Sequence, residues 1–223
     1  MRNVESDSIE MARKREKLLT TAFTLFAEKS IESVKLEDIA KASKIGIATL
    51  FRYFTNKPNL VIELATNLWG KIYEEVEKNY SKAGGNSMNA AQELEFFLDS
   101  FIELYRNHKD LLRFNRNFDT YVIHEGCTEE QMKPYNEAVS VFAKKFHVVY
   151  SKAQKDGTLN IKISEKKLFV NLLYIMLSAA GKYAEGLVYP MNDEQDRTEE
   201  LIMLKQMICN AYVAKPSLAK RKR

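Results

Sequence analysis

Turn-forming residues are scarce in this chain, with 8 glycines and 4 prolines among 223 positions. Sheets of short strands need frequent turns, and Gly and Pro supply many of them. Their scarcity, with almost no β-branched runs bounded by turns, argues against an all-β fold and predicts an all-α one. Cysteine is equally sparse: Cys127 and Cys209 are too few and too far apart for a disulfide framework. They read as small semi-buried side chains kept reduced, with a redox-sensing Cys127 as the alternative. Long apolar runs are missing too. The longest, LFVNLLYIMLSAAG from Leu168, contains Asn171 and falls short of the roughly 20 residues that span a bilayer. The polar N-terminus carries no signal-peptide pattern, so the expectation is a cytoplasmic protein with no membrane partner. Among three histidines, the one suggestive cluster is His124-Glu125-x-Cys127, which lacks the second His of a zinc-binding HExxH helix. Neither a metal nor another cofactor is expected. Excess charge is small as well, +4 overall, too little to name a partner.

What is present is concentrated in LEDIAKASKIGIATLFRYF, residues 36–54. Leu36, Ile39 and Ala40 fall at i, i+3, i+4 and mark one apolar helical face. Lys44-Ile45-Gly46 interrupts the period, and Gly46 is a tolerated N-cap for a second helix. Ile47, Leu50 and Phe51 then repeat the spacing, which assigns them to the apolar side of that helix. Two short helices across a tight turn predict a helix-turn-helix, whose second helix can enter a DNA major groove. The same spacing also fits an ordinary helical hairpin inside a core. Gly46, Ala48, Thr49, Arg52 and Tyr53 remain for the exposed side. Small residues let the backbone approach DNA, hydroxyls bond phosphate, and Arg can fork onto guanine. From Met11 to Lys57 there are ten Lys/Arg against five acids, a local surplus that favours a phosphate partner. The tail KRKR, Lys220 to Arg223, reads as a solvated terminus or as a flexible phosphate-binding arm.

These residues carry a resemblance. From Arg15 to about Leu64 the chain is similar to the DNA-binding domain of the TetR family of bacterial transcriptional regulators. KLLTTAFTLFAEKS resembles that family's opening helix, LEDIAKAS its second, IATLFRYF its recognition helix and TNKPNLV the start of its fourth. The chain departs from the family's pattern where Lys44 stands at a turn position often Gly, Gly46 at an N-cap often Ser, Thr or Asp, and Ile47 at a position often polar. These departures bear on turn shape and base preference. The expected DNA contacts are Lys35, Lys44, Gly46, Ile47, Ala48, Thr49, Arg52, Tyr53 and Lys57. Thr49 and Tyr53 would reach phosphates, Lys57 would add charge, and Arg52 would meet a base edge or a phosphate. Gly46, Ile47 and Ala48 form the helix tip.

The rest of the chain reads as a larger helical bundle, giving about nine helices in all. A three-helix head, residues 1–57, joins a body, residues 58–223. The expected helices run from about Ala12 to Lys29, through the motif, then Pro58 to Tyr80, Ala90 to Asn107, Lys109 to Ile123, Glu129 to Ala153, Glu165 to Leu187 and Asp193 to Ala214. SKAGGNSMN, residues 81–89, is the clearest break.

The body is aromatic-rich. Most of its rings are core, yet a bundle can keep an apolar pocket between helices. The resemblance implies a small-molecule effector here, with Phe101, Tyr105, Phe114, Asn117, Phe118, Tyr121, Phe142 and Tyr174 as candidate lining. The helix after Ser164 is apolar around most of its girth and so demands burial on all sides. Near the chain's end it has few intrachain partners, so a second copy is a natural cover, as the resemblance also implies. The expected dimer residues are Leu168, Leu172, Ile175, Met176, Leu201, Leu204 and Ile208. The leading expectation is therefore a homodimeric repressor that a small, largely apolar ligand releases from a palindromic site on double-stranded DNA. The alternative is a ligand-independent dimeric DNA-binding protein acting through protein partners. No nucleophile–base pair, phosphate-cradling Gly loop or metal cluster supports an enzyme.

Overall fold

A computed structural model of the chain describes residues 4–186 and 196–214. Among the described residues the architecture is all-α. The helices are α1 (Val4–Glu28), α2 (Leu36–Ser43), α3 (Ile47–Tyr53), α4 (Lys57–Lys82), α5 (Ala90–Asn107), α6 (Lys109–His124), α7 (Glu129–Asp156), α8 (Glu165–Glu185) and α9 (Thr198–Tyr212). Two of them depart clearly from the sequence reading. Helix α1 begins at Val4 instead of near Ala12, and α9 begins at Thr198 instead of near Asp193. Position 187, positions 193–195 and the KRKR tail lie outside the described residues. No described helix is long and apolar enough to cross a membrane.

The chain packs as two compact units, Met1–Ile72 with His108–Ser140 and Tyr73–Asn107 with Val141–Arg223. In the first unit, Leu18, Leu19, Ala22 and Phe26 form the buried stripe of α1, which packs on α2 and α6. Ile31, Val34, Ile39, Leu50, Phe54 and Leu60 complete the core around the motif, joined by Phe114, Phe118 and Tyr121 from α6. The turn after α2 is a Schellman motif: Ile45 N–H donates to the Ala40 carbonyl at 3.0 Å and Lys44 N–H to that of Lys41 at 3.1 Å. That geometry needs a left-handed residue, and Lys44 adopts it with φ 57° and ψ 36°. A side chain pays about 1–2 kcal/mol for this conformation, which explains why glycine suits the position and what the lysine's charge is set against. Asn56 caps α4, its Oδ1 accepting from Asn59 N–H at 2.9 Å.

In the second unit, Leu94, Leu98, Phe101, Ile102 and Tyr105 form the buried face of α5, which packs on both α8 and α9. Asn89 and Gln92 cap α5 reciprocally, each side chain accepting the other's backbone N–H at 3.0 Å. Asp156 and Thr158 satisfy the next two donors, Ala90 N–H at 2.7 Å and Ala91 N–H at 3.1 Å. A buried polar cluster ties the segment after α4 in place. The Tyr80 hydroxyl lies 2.6 Å from Glu93 Oε1 and 2.8 Å from the Gly85 carbonyl oxygen. Lys152 Nζ donates to Glu93 and, at 2.9 Å, to the Met88 carbonyl. Gly85 is required there, because a Cβ would stand 2.2 Å from the Tyr80 ring.

Candidate nucleic-acid interface

The exposed side of α3 is set by which residues it buries. Gly46, in extended conformation, opens the helix by accepting from Thr49 N–H at 2.9 Å and Leu50 N–H at 3.1 Å. Leu50 and, one turn on, Phe54 are buried at 0% and 1% exposure. That pair is the anchoring stripe, and it corrects the expectation that Ile47 and Phe51 share it. Ile47 and Phe51 instead stand 37% and 47% exposed. Gly46, Ala48 and Arg52 are exposed beside them and Thr49 is half-exposed. Lys35 and Lys44 are also exposed, as is Lys41, and none of these three is ion-paired among the described residues. Thus one short helix presents small, apolar and cationic groups together, flanked by lysines that favour a polyanion.

Two basic groups of the head are engaged within the chain, and one hydroxyl is buried. Arg15 binds Glu63 through both ends of its fork, Nε at 2.6 Å from Oε1 and Nη2 against Oε2, with its guanidinium centre 4.9 Å from the Phe54 ring centre. The Glu63 hydrogen bond raises its already high pKa further. Lys57 Nζ donates to the Glu32 carbonyl at 3.3 Å and lies 5.3 Å from the Tyr121 ring centre. Burial lowers its pKa, against the opposing pull of Glu125 and Glu32. In this structure Lys57 therefore braces the base of the head, where the sequence reading had it add charge toward DNA. The Tyr53 hydroxyl, expected to reach a phosphate, is buried with no partner among the described residues. Its ring lies 5.7 Å from the Arg52 guanidinium and holds that side chain from behind.

The expected ligand-lining residues divide between the two packing units. Phe114, Phe118 and Tyr121 are buried in the first unit's core, and Asn117 turns its amide to the Arg113 carbonyl at 3.2 Å. The Tyr121 hydroxyl has no partner among the described residues, and burial raises its pKa. Phe101 and Tyr105 are buried in the second unit, the Tyr105 hydroxyl accepting Arg197 N–H at 3.0 Å. Phe142 packs edge-on against Tyr73, ring centres 5.4 Å apart. Tyr174 is 60% exposed and faces away from the core, contrary to the pocket expectation.

Of the expected dimer residues, Leu168, Leu172, Met176, Leu201 and Ile208 are buried by the chain's own packing, and Leu204 is half-buried. Ile175 is exposed, as are Tyr174, Met203 and Met207. Periodicity marked α8 as apolar all round but could not say which side α5 and α9 cover. Both cysteines are free and half-buried, and burial pushes both thiols up, away from the reactive thiolate. No group of three metal-ligating side chains occurs among the described residues.

Comparison with known proteins agrees with this geometry. Residues 18–64 match the family described as bacterial regulatory proteins, tetR family. The HTH-type transcriptional regulator YuxN of Bacillus subtilis strain 168 is 24% identical over 151 residues, 68% of this chain and 46% of that protein. The chain spans about half the length of the curated relatives it matches. Among solved structures, a transcriptional regulator from Saccharomonospora viridis in complex with choline shares the fold with TM-score 0.70 and 16% identity, covering 92% of this chain and all of that one. The fatty acid degradation regulator FadR from Bacillus halodurans does so with TM-score 0.67 and 15% identity, covering 94% and 97%.

Proposed function

We propose that the chain, whose residues 18–64 match the tetR family of bacterial regulatory proteins, is a DNA-binding transcriptional regulator of that family and acts as a ligand-released repressor. Residues 1–57 bind a palindromic operator, and residues 58–223 dimerise and hold a small, largely apolar effector. A homodimer offers two α3 helices to successive major grooves, about 34–36 Å apart or somewhat more. A ligand that binds the two arrangements unequally lowers operator affinity by that difference in free energy. The observation that carries the reading is the exposed α3 edge, Gly46 to Arg52, beside unpaired Lys35, Lys41 and Lys44. The aromatic body supports an effector, as do the fold relatives, one a regulator of fatty acid degradation and one holding choline.

Titration of a duplex operator library at several salt concentrations tests it. Affinity should fall steeply with salt, with a logarithmic slope of roughly −0.9 per phosphate contacted. Absence of salt-dependent duplex binding overturns the reading. Release of the operator by a small-molecule extract supports the effector, and unchanged affinity across such extracts favours a ligand-independent protein acting through protein partners.

Arg52→Ala is expected to cost on the order of 1–3 kcal/mol on the preferred site and to relax preference at one base pair per half-site. A uniform loss across all sequences would make Arg52 a phosphate clamp instead. For the dimer, Met207→Glu places a charge on the exposed apolar surface that Tyr174 and Ile175 give α8 and Met203 and Met207 give α9. Sedimentation at micromolar concentration should show dimeric wild type and monomeric, folded variant. A variant that stays dimeric removes this patch from the interface.

A further inference from the structure

Ile47 and Phe51 sit one turn apart on α3, so their side chains lie one above the other on the same face. Both are more than one-third exposed, while Leu50 and Phe54, on the adjoining stripe of the helix, are buried in the core. Gly46 and Ala48 flank Ile47 with almost no side-chain bulk, and Arg52 flanks Phe51. The result is an apolar edge set among cations. A single exposed apolar residue has no special meaning, but two stacked one turn apart on one short helix define a ridge. The exposed cations of the same motif, Lys35, Lys41, Lys44 and Arg52, would disfavour a second basic head and select a polyanion.

We propose that Ile47 and Phe51 read thymine methyl groups in the major groove of the operator half-site. This deepens the DNA-binding reading and rests on it. Phosphates offer nothing to an apolar ridge, and contacts to sugars carry no sequence information. In the major groove the one apolar group on a base-pair edge is the C5-methyl of thymine, and contact with it removes both surfaces from water. Residues one helical turn apart are separated by about 5.4 Å along the axis, while successive bases of a strand are about 3.4 Å apart. The two contacts therefore fall on neighbouring or next-but-one base pairs. Arg52, one position beyond Phe51, meets the adjoining step, so the half-site combines A·T pairs with one position chosen by Arg52.

The test pairs a protein change with a DNA change that removes only the methyl. Preferred sites are selected from a randomised duplex library with the full chain. Each thymine of the half-site is then replaced in turn by deoxyuridine. Wild type should lose about fourfold in affinity at two positions, the value of one buried methyl, and nothing at the others. Phe51→Ala should bind the thymine and deoxyuridine duplexes equally at one of those positions, and Ile47→Ala equally at the other. Phe51→Leu, which keeps an apolar contact, should retain the discrimination, which covers the case in which Phe51→Ala binds too weakly to measure. Salt-dependent binding by wild type that ignores every deoxyuridine replacement overturns the inference and leaves the DNA-binding reading intact. Failure to bind any duplex overturns that reading itself.

Discussion

Phe118→Ala is expected to destabilise the protein by about 3–5 kcal/mol, the usual cost of emptying a phenylalanine site in a packed core. Phe118 is fully buried in the first packing unit, with ring centres 6.0 Å from Phe114 and 4.6 Å from Tyr135. It shares that core with Phe26 and with Leu50 and Phe54, which seat α3. A loss of this size is a large fraction of the roughly 5–15 kcal/mol that holds a domain together. DNA binding should therefore fall with thermal stability, through loss of the folded head. The decisive measurement is urea unfolding beside operator titration at low temperature, where the variant is still folded. If stability is kept and only the response to a small molecule changes, Phe118 lines the effector site and its core assignment fails.

Lys152→Met is expected to cost about 3 kcal/mol, the lower end for breaking a buried ion pair by removing one partner. The Glu93 side chain is only 2% exposed, whereas that of Lys152 is 29% exposed, which places the loss at the lower end. Without the ammonium, the carboxylate keeps, among the described residues, only the Tyr80 hydroxyl, and the Met88 carbonyl loses the Lys152 donor. The double variant Lys152→Met with Glu93→Gln should recover part of the loss, because a neutral amide tolerates the site better than an unpaired charge. Chemical denaturation of the four proteins of this cycle gives the coupling directly. A single variant within about 0.5 kcal/mol of wild type would show that water, not burial, sets the energetics there.

The sequence by itself determined the helices, their order and the motif at residues 36–54, because periodicity, caps and breaks are local properties. The stretches at Ala90–Asn107 and Lys109–His124 were legible this way almost to the residue. Local patterns carry no information on which side of an apolar helix finds a partner. Ile47, Leu50 and Phe51 share one spacing, and only tertiary packing decided that Leu50 goes in while its neighbours stay out. The same limit applies on α8 and α9, where Leu172 and Ile208 are buried by the chain's own packing and Ile175 and Met207 are not. Engagements across long sequence distance were equally invisible: Lys57 with Glu32 and Tyr121, and Arg15 with Glu63. A cation's availability to DNA depends on whether another segment already binds it. That depends on contacts between residues 25 to 64 positions apart, which no short-range pattern encodes. For the same reason Phe114, Phe118 and Tyr121, read as body residues, belong to the core that holds the head.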